Sequence, residues 1–163
     1  MAQPTFEVVL VEPEIPNNTG NIGRTAAATG CRLHIVHPIG FDMGEKARRR
    51  AGLDYWDAVD CREHASWEAY LETEEPPRVW LFSTHGGRPI WDADLARGDH
   101  LVFGKESSGI DQAKRAECVA RYGPDSILTL PMVPREKVRS LNLATAAAIA
   151  VYEGLRQVGG PPS

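Results

Sequence analysis

The 163-residue sequence predicts an α/β domain built around a parallel sheet, and three observations carry that expectation. Five apolar runs of strand length are continuous rather than alternating, the pattern of strands buried on both faces. Helix-compatible segments separate most of them, as crossovers between parallel strands require. Four of the strands run into loops rich in glycine or proline, at residues 12–20, 83–88, 104–109 and 131–139.

The first run, FEVVLV at 6–11, reads as a buried strand, and EPEIPNNTG at 12–20 is turn chemistry throughout. Thr19 or Asn21 then caps a short alanine-rich helix over 22–29, closed by Gly30. Residues 32–36 form the second strand, ended by Pro38-Ile39-Gly40. The segment GEKARRRAGLDYWD at 44–57 passes from basic residues straight into aromatics. Trp67, Tyr70 and Leu71 stand at helical spacing and predict an amphipathic helix over 63–74, stopped by Pro76-Pro77. The third and fourth strands are VWLFS at 79–83 and LVF at 101–103. A helix over 111–121 ends at Gly123-Pro124, before the fifth strand at 127–130.

The last helix, over 143–157, has Ser140 and Asn142 as candidate N-caps. Its first half holds Ala144, Ala146, Ala147, Ala148, Ile149, Ala150 and Val151, and so is apolar nearly all round. Such a helix must be buried on all sides. One small domain can hardly surround its own final helix, so a second subunit is expected to cover part of it. Residues 1–157 read as one domain and 158–163 as a flexible tail.

A hydrophobic content of 42% and a charged content of 25% are those of a soluble globular chain. There is no cationic N-terminus leading into an apolar stretch and no apolar run near 18 residues. No signal peptide or membrane span is therefore expected, and the cytoplasm is the default location. Cys31, Cys61 and Cys118 are odd in number and scattered, which argues against a disulfide framework. A net charge of −4 argues against a general nucleic-acid glue, so contact with RNA falls to local basic clusters.

In an open parallel sheet the ligand lies beyond the carboxyl ends of the strands. The four loops there suggest a pocket lined largely by backbone. TGNIGR at 19–24 lacks the first glycine of a dinucleotide fingerprint, and GKESSG at 104–109 is not a Walker loop. No serine or cysteine sits in an elbow motif. His34 and His37 point to opposite faces of a strand while His64, His85 and His100 stand alone, so no metal site is expected. Arg24 lies in an early turn of a helix of small side chains. A cation there opposes the helix dipole and gains nothing locally, so Arg24 reads either as a ligand contact or as a solvated surface arginine. Lys46, Arg48, Arg49 and Arg50, followed by Tyr55 and Trp56, read either as phosphate contacts beside stacking platforms or as a solvated helix face.

Taken together, EPEIPNNTGNIGRTAAATG, RRAGLDYWD, FGKESSG and LPMVP…RSLNLATAAAIAVYE resemble the SPOUT-superfamily tRNA 2′-O-methyltransferases. Within that superfamily they are most similar to the small single-domain members (the TrmL/YibK type) that methylate the wobble ribose of leucine tRNAs. The resemblance implies a C-terminal trefoil knot, a homodimer and S-adenosylmethionine as cofactor. By position, Phe82, Gly104, Leu130 and Ser140 correspond to cofactor-contacting residues, and Asn142, the candidate N-cap two residues on, is expected to join them. Arg24 corresponds to the proposed catalytic arginine, Tyr152 to a tyrosine implicated in activity, and Arg139 to a basic residue beside the pocket. The insertion REKV between Pro134 and Arg139 makes that loop longer than the family pattern.

Arginine is essentially never deprotonated, so Arg24 is expected to hold phosphate and stabilise a forming alkoxide rather than to act as a base. Glu106 is then the candidate proton acceptor, unless its carboxylate only caps the Ser107 and Ser108 amides. Two other readings fit the sequence. One is a 2′-O-methyltransferase acting on another tRNA or rRNA nucleotide, and the other is a non-catalytic RNA-binding module.

Overall fold

The computed structural model describes residues 2–163. Seven strands form one sheet: β1 (Glu7–Val11), β2 (Arg32–Val36), β3 (Cys61–His64), β4 (Val79–Phe82), β5 (Arg88–Pro89), β6 (His100–Phe103) and β7 (Ile127–Thr129). Their order is β3-β2-β1-β6-β4-β7-β5 and every neighbouring pair is parallel. Side chains alternate between two cores. Val8 and Leu10 of β1 enter one, beneath α1 (Pro16–Thr29) and the final helix α5 (Leu143–Val158). Val9 and Val11 enter the other, beneath α3 (Trp67–Glu74) and α4 (Gln112–Tyr122). The six-residue helix α2 (Glu45–Arg50) buries none of its residues.

The five expected strands are present, and two more join them at the sheet edges. β3 reads CREH, with Arg62 and Glu63 exposed, so an edge strand hides as a polar stretch. The helix expected from residue 63 consequently begins at Trp67, where Ser66 Oγ caps it by accepting from the Ala69 amide at 3.0 Å. β5 is two residues long and contains Pro89, which a sheet tolerates at an edge.

α1 starts six residues earlier than the sequence suggests. Pro16 occupies its first turn, where a missing N–H costs nothing, and residues 17–21 continue as helix instead of turn. No local side chain caps it. The carboxylate of Glu106, far along the chain, accepts instead from the amides of Ile15 at 2.6 Å and Glu14 at 2.9 Å. An anion at this helix end also complements the dipole.

Asn142 caps α5 through Thr145, and Gly159 closes it in a left-handed conformation. One side of α5 is buried through Ala147, Ala150, Val151, Gly154 and Leu155. On the other, Ile149 is 42% and Tyr152 59% exposed, so the chain alone covers only one side of this helix. At the start of the tail, Arg97 donates to the carbonyls of Val158 at 3.2 Å and Gly160 at 2.7 Å. Among the described residues, no helix is long and apolar enough to cross a membrane.

The α3 face also holds a buried polar layer. His34 bridges His64 at 2.9 Å and Glu7 at 2.6 Å, and Tyr70 Oη lies 2.7 Å from His100 Nδ1. Burial pushes His100 down to about 4, opposed by Glu7 and Glu74 and assisted by His34 and Arg32, and burial lowers His64 as well. An imidazole with a depressed folded-state pKa favours folding fully above its unfolded value near 6.5 and loses that contribution as pH falls towards 4. Stability should therefore drop between those limits, by about 3 kcal/mol at most from His100. Urea midpoints at pH 7 and pH 4.5 check this; His100→Gln should narrow the difference, and an unchanged difference would remove His100 as its source.

Candidate active site

The carboxyl ends of β4, β6 and β7 open into a cleft of about 680 Å³. Its apolar lining includes Phe82 and Phe103, whose rings stack with centroids 4.7 Å apart, together with Leu130, Leu143 and Ala146. Ser83, Thr84 and Ser140 supply polar groups, and the loop after β6 forms one wall. Lys105 and Gly109 exchange backbone hydrogen bonds of 3.1 and 2.9 Å, which pinches that loop shut. A Cβ on Gly104 would collide with the backbone of Gly109 and Ile110, so only glycine allows the pinch. A smaller hollow of about 310 Å³ beside Arg78, Trp80 and Tyr122 holds none of the predicted site residues.

Two clasps join the cleft to α1. Asn142 donates to Asn18 Oδ1 at 3.0 Å, connecting the starts of α5 and α1. Asn18 is only 6% exposed and lines the cleft, yet in the sequence it hides inside an apparent turn. The second clasp is reciprocal. Glu106 holds the Glu14 and Ile15 amides, while Glu14 Oε1 accepts from the Ser107 amide at 3.0 Å and hydroxyl at 2.6 Å. Those Ser107 bonds hold the Glu14 carboxyl below its ordinary value. The cap expected from Glu106 to Ser107 and Ser108 is thus replaced by one that reaches across to α1. Arg115 is a further lining residue that the sequence did not mark; it donates to Ser83 Oγ at 2.7 Å. Nothing in the surface pattern of its helix distinguishes it.

Of the predicted residues, Phe82, Gly104, Glu106, Leu130, Arg139, Ser140 and Asn142 all line the cleft. Arg24, Tyr152 and the α2 arginines do not. Arg24 sits six residues beyond Asn18, about 9 Å further along the helix axis. Because α1 starts at Pro16, Arg24 lies in mid-helix rather than in an early turn, so the expected opposition to the dipole does not apply to it. Its guanidinium carbon lies over the Tyr55 ring, 4.8 Å from the centroid, and among the described residues it has no ion pair or hydrogen bond. On α2, Arg49 pairs with Glu45 at 2.5 Å, and the Arg48 guanidinium lies 6.0 Å from the centre of Trp56. The loop from 131 to 140 is exposed along its whole length.

The histidines require a correction. His64 and His100 do not stand alone, because strand register brings His34, His64 and His100 together under Tyr70. Donor atoms of His34, His64 and Glu74 lie within 4.8 Å of one another. They already have protein partners. Glu7 bonds His34 and pairs with Arg32 at 3.1 Å, and Glu74 pairs with Arg62 at 3.1 Å. The layer lies outside the cleft lining.

The sequence pattern of the SpoU rRNA Methylase family matches residues 5–152. The chain belongs to that family. A tRNA (cytidine(34)-2′-O)-methyltransferase of Saccharophagus degradans is 44% identical over 94% of this chain and 96% of its own. A solved structure concerning the 2-OH methylation of C/U34 on tRNA is 44% identical, covers 93% of this chain and 95% of its own, and superposes with a TM-score of 0.79. The SpoU methyltransferase AviRb of Streptomyces viridochromogenes, solved with the cofactor AdoMet, is 25% identical with a TM-score of 0.78. That match covers 96% of this chain and 62% of AviRb. This membership agrees with the parallel α/β architecture expected from the sequence.

Proposed function

We propose that this SpoU-family chain uses S-adenosylmethionine to methylate the ribose 2′-hydroxyl of nucleotide 34, cytidine or uridine, in tRNA. The observation that carries the reading is the cleft beyond β4, β6 and β7, walled by a glycine-pinched loop, in a chain similar to its relatives along nearly its whole length. The lining suits the cofactor. Phe82, Leu130, Leu143 and Ala146 offer an apolar bed for a purine, and Gly104, Ser140 and Asn142 offer small or polar contacts around it. Bound there, S-adenosylmethionine supplies an electrophilic methyl group on a sulfonium.

The protein's own task is to hold the ribose and raise the nucleophilicity of its hydroxyl. Arg24 presents a fork of N–H donors to phosphate and to the alkoxide as charge develops. Glu106 faces the cleft and is the proposed acceptor of the hydroxyl proton, alongside its bonds to the α1 amides. Arg139 and Tyr152 are proposed to contact the nucleotide. Because Arg24 and Tyr152 lie outside the lining of their own chain's cleft, the working unit is proposed to be a homodimer in which they serve the partner's cleft. The bare side of α5, with Ile149 and Tyr152, is the proposed contact. The segment after β7 is proposed to be threaded as a trefoil knot, supported by the placement of β7 between β4 and β5 before the chain returns to α5. Leucine tRNAs are the proposed substrates, the cytoplasm the proposed location, and no metal takes part.

The experiment is methylation of leucine tRNA transcripts in excess EDTA, with modified ribose mapped by mass spectrometry. A single 2′-O-methyl group at position 34 is expected. Methylation elsewhere would move the target nucleotide, and cofactor or RNA binding without methylation would leave a binding module. Activity restored only by added magnesium or zinc, with the tRNA fold intact, would overturn the metal-free reading.

The RNA surface has its own test. Replacing Arg48, Arg49 and Arg50 together by alanine should weaken tRNA binding and reduce the slope of log K against log salt by about 1 to 2. The full effect of three charges is not expected, since Arg49 is already paired with Glu45. An unchanged slope would make α2 a solvated face.

A further inference from the structure

The aromatic segment after α2 packs on the surface of α1. Its Tyr55 ring lies beneath the Arg24 guanidinium, 4.8 Å from centroid to Cζ, within the range of a cation–π contact. The phenol does not hang free. It donates to the carbonyl of Gly20 at 2.7 Å, so the ring is fixed to the same helix that carries Arg24, four residues earlier. The surface of α1 is shaped to receive this segment. A Cβ at Gly20 would meet Leu53 Cδ2 at 3.0 Å, and one at Gly23 would collide with the ring of Trp56. Leu53, Tyr55 and Trp56 therefore rest on a glycine face directly beside the arginine. Burial raises the Tyr55 pKa.

We propose that Tyr55 is the positioning residue of Arg24, fixing the plane of the guanidinium so that its N–H fork is presented to the RNA already oriented. The inference rests on the reading of Arg24 given under the proposed function. An exposed arginine without a carboxylate partner samples many rotamers, and each must be given up when it binds phosphate or alkoxide. A flat ring beneath it removes much of that freedom beforehand without neutralising the charge or occupying its N–H groups. A carboxylate in the same place would hold the arginine too, but would compete with the substrate for those donors.

The test uses the full-length protein, tRNA and S-adenosylmethionine. Tyr55→Leu, which keeps apolar packing but removes the ring, should lower kcat about tenfold while cofactor affinity by calorimetry stays within twofold. Tyr55→Phe should lose less, and pentafluorophenylalanine at position 55, which keeps the shape but reverses the ring's electrostatics, should fall to the level of leucine. That comparison stands even if Tyr55→Leu fails to fold. In an Arg24→Lys background the change at position 55 should add little further loss. Equal losses in both backgrounds, or equal activity of the phenylalanine and pentafluorophenylalanine proteins, would overturn the proposal and leave Tyr55 a packing residue. If Arg24→Lys itself retains full activity, the reading of Arg24 fails instead, whatever Tyr55 does.

Discussion

Arg24→Lys should lose about a hundredfold or more in kcat although its charge is kept. A lysine ammonium at this position still carries a positive charge, and can still lie over the Tyr55 ring. What it lacks is the planar fork that engages two oxygens at once. Removing one preorganised donor from a developing oxyanion typically costs about 10² to 10³ in rate. Arg24→Ala should be at least as impaired, with S-adenosylmethionine affinity close to that of the native protein, because Arg24 does not line the cleft. Single-turnover methylation and calorimetry on the two variants separate these quantities. An Arg24→Ala protein that loses cofactor binding and retains its tRNA affinity would reverse the assignment of roles.

Mixed dimers should recover about a quarter of the native sites from two inactive parents. One parent is Arg24→Ala. The other needs a blocked cleft without a broken fold. Gly104→Val is unsuitable, since even a methyl group there strikes the backbone of Gly109 and Ile110. Leu130→Trp fills the cleft from a half-buried side chain and is the better choice. When the two are unfolded and refolded together, about half the dimers are mixed. If Arg24 serves the partner's cleft, each mixed dimer contains one site with both residues intact. If Arg24 serves its own cleft, every site keeps a defect. Activity at the level of the separate parents, with mixed dimers verified by native mass spectrometry, rules out the shared site.

The central strands were legible because burial on both faces leaves an unmistakable apolar run, as in residues 8–11 or 101–103. α5 was legible because its cap and terminator are local: Asn142 at one end and Gly159 at the other. The start of α1 was not. Its N-terminal acceptor, Glu106, is about ninety residues away, so Asn17, Asn18 and Gly20 showed only their intrinsic preference for turns. β3 was hidden by the charges that suit an edge strand. The histidine layer was invisible for another reason: the register of β2 against β3 and the approach of α3 place His34, His64 and Tyr70 together, and neither is written in any one segment. At the candidate site, the residues Phe82, Gly104, Leu130 and Ser140 came from resemblance and Asn142 from its place as a helix cap, and all five fall together on one cleft. Asn18 stood inside the EPEIPNNTG stretch but showed there only turn chemistry, and Arg115 lay outside every recognisable pattern.

The reciprocal clasp between Glu14 and Ser107 and between Glu106 and Ile15 makes two distant stretches of chain a single mechanical body. One is the loop that walls the cleft; the other is the helix that presents Arg24. A ligand that shifts the loop must tilt the helix or break charge-assisted hydrogen bonds. On the roles proposed for the cleft and for Arg24, occupation of the one and the attitude of the other become linked variables. By thermodynamic reciprocity, whatever factor the small molecule adds to the affinity for RNA, the RNA returns to the small molecule. The order in which the two arrive then decides the kinetics of the encounter, but not the stability of the ternary complex.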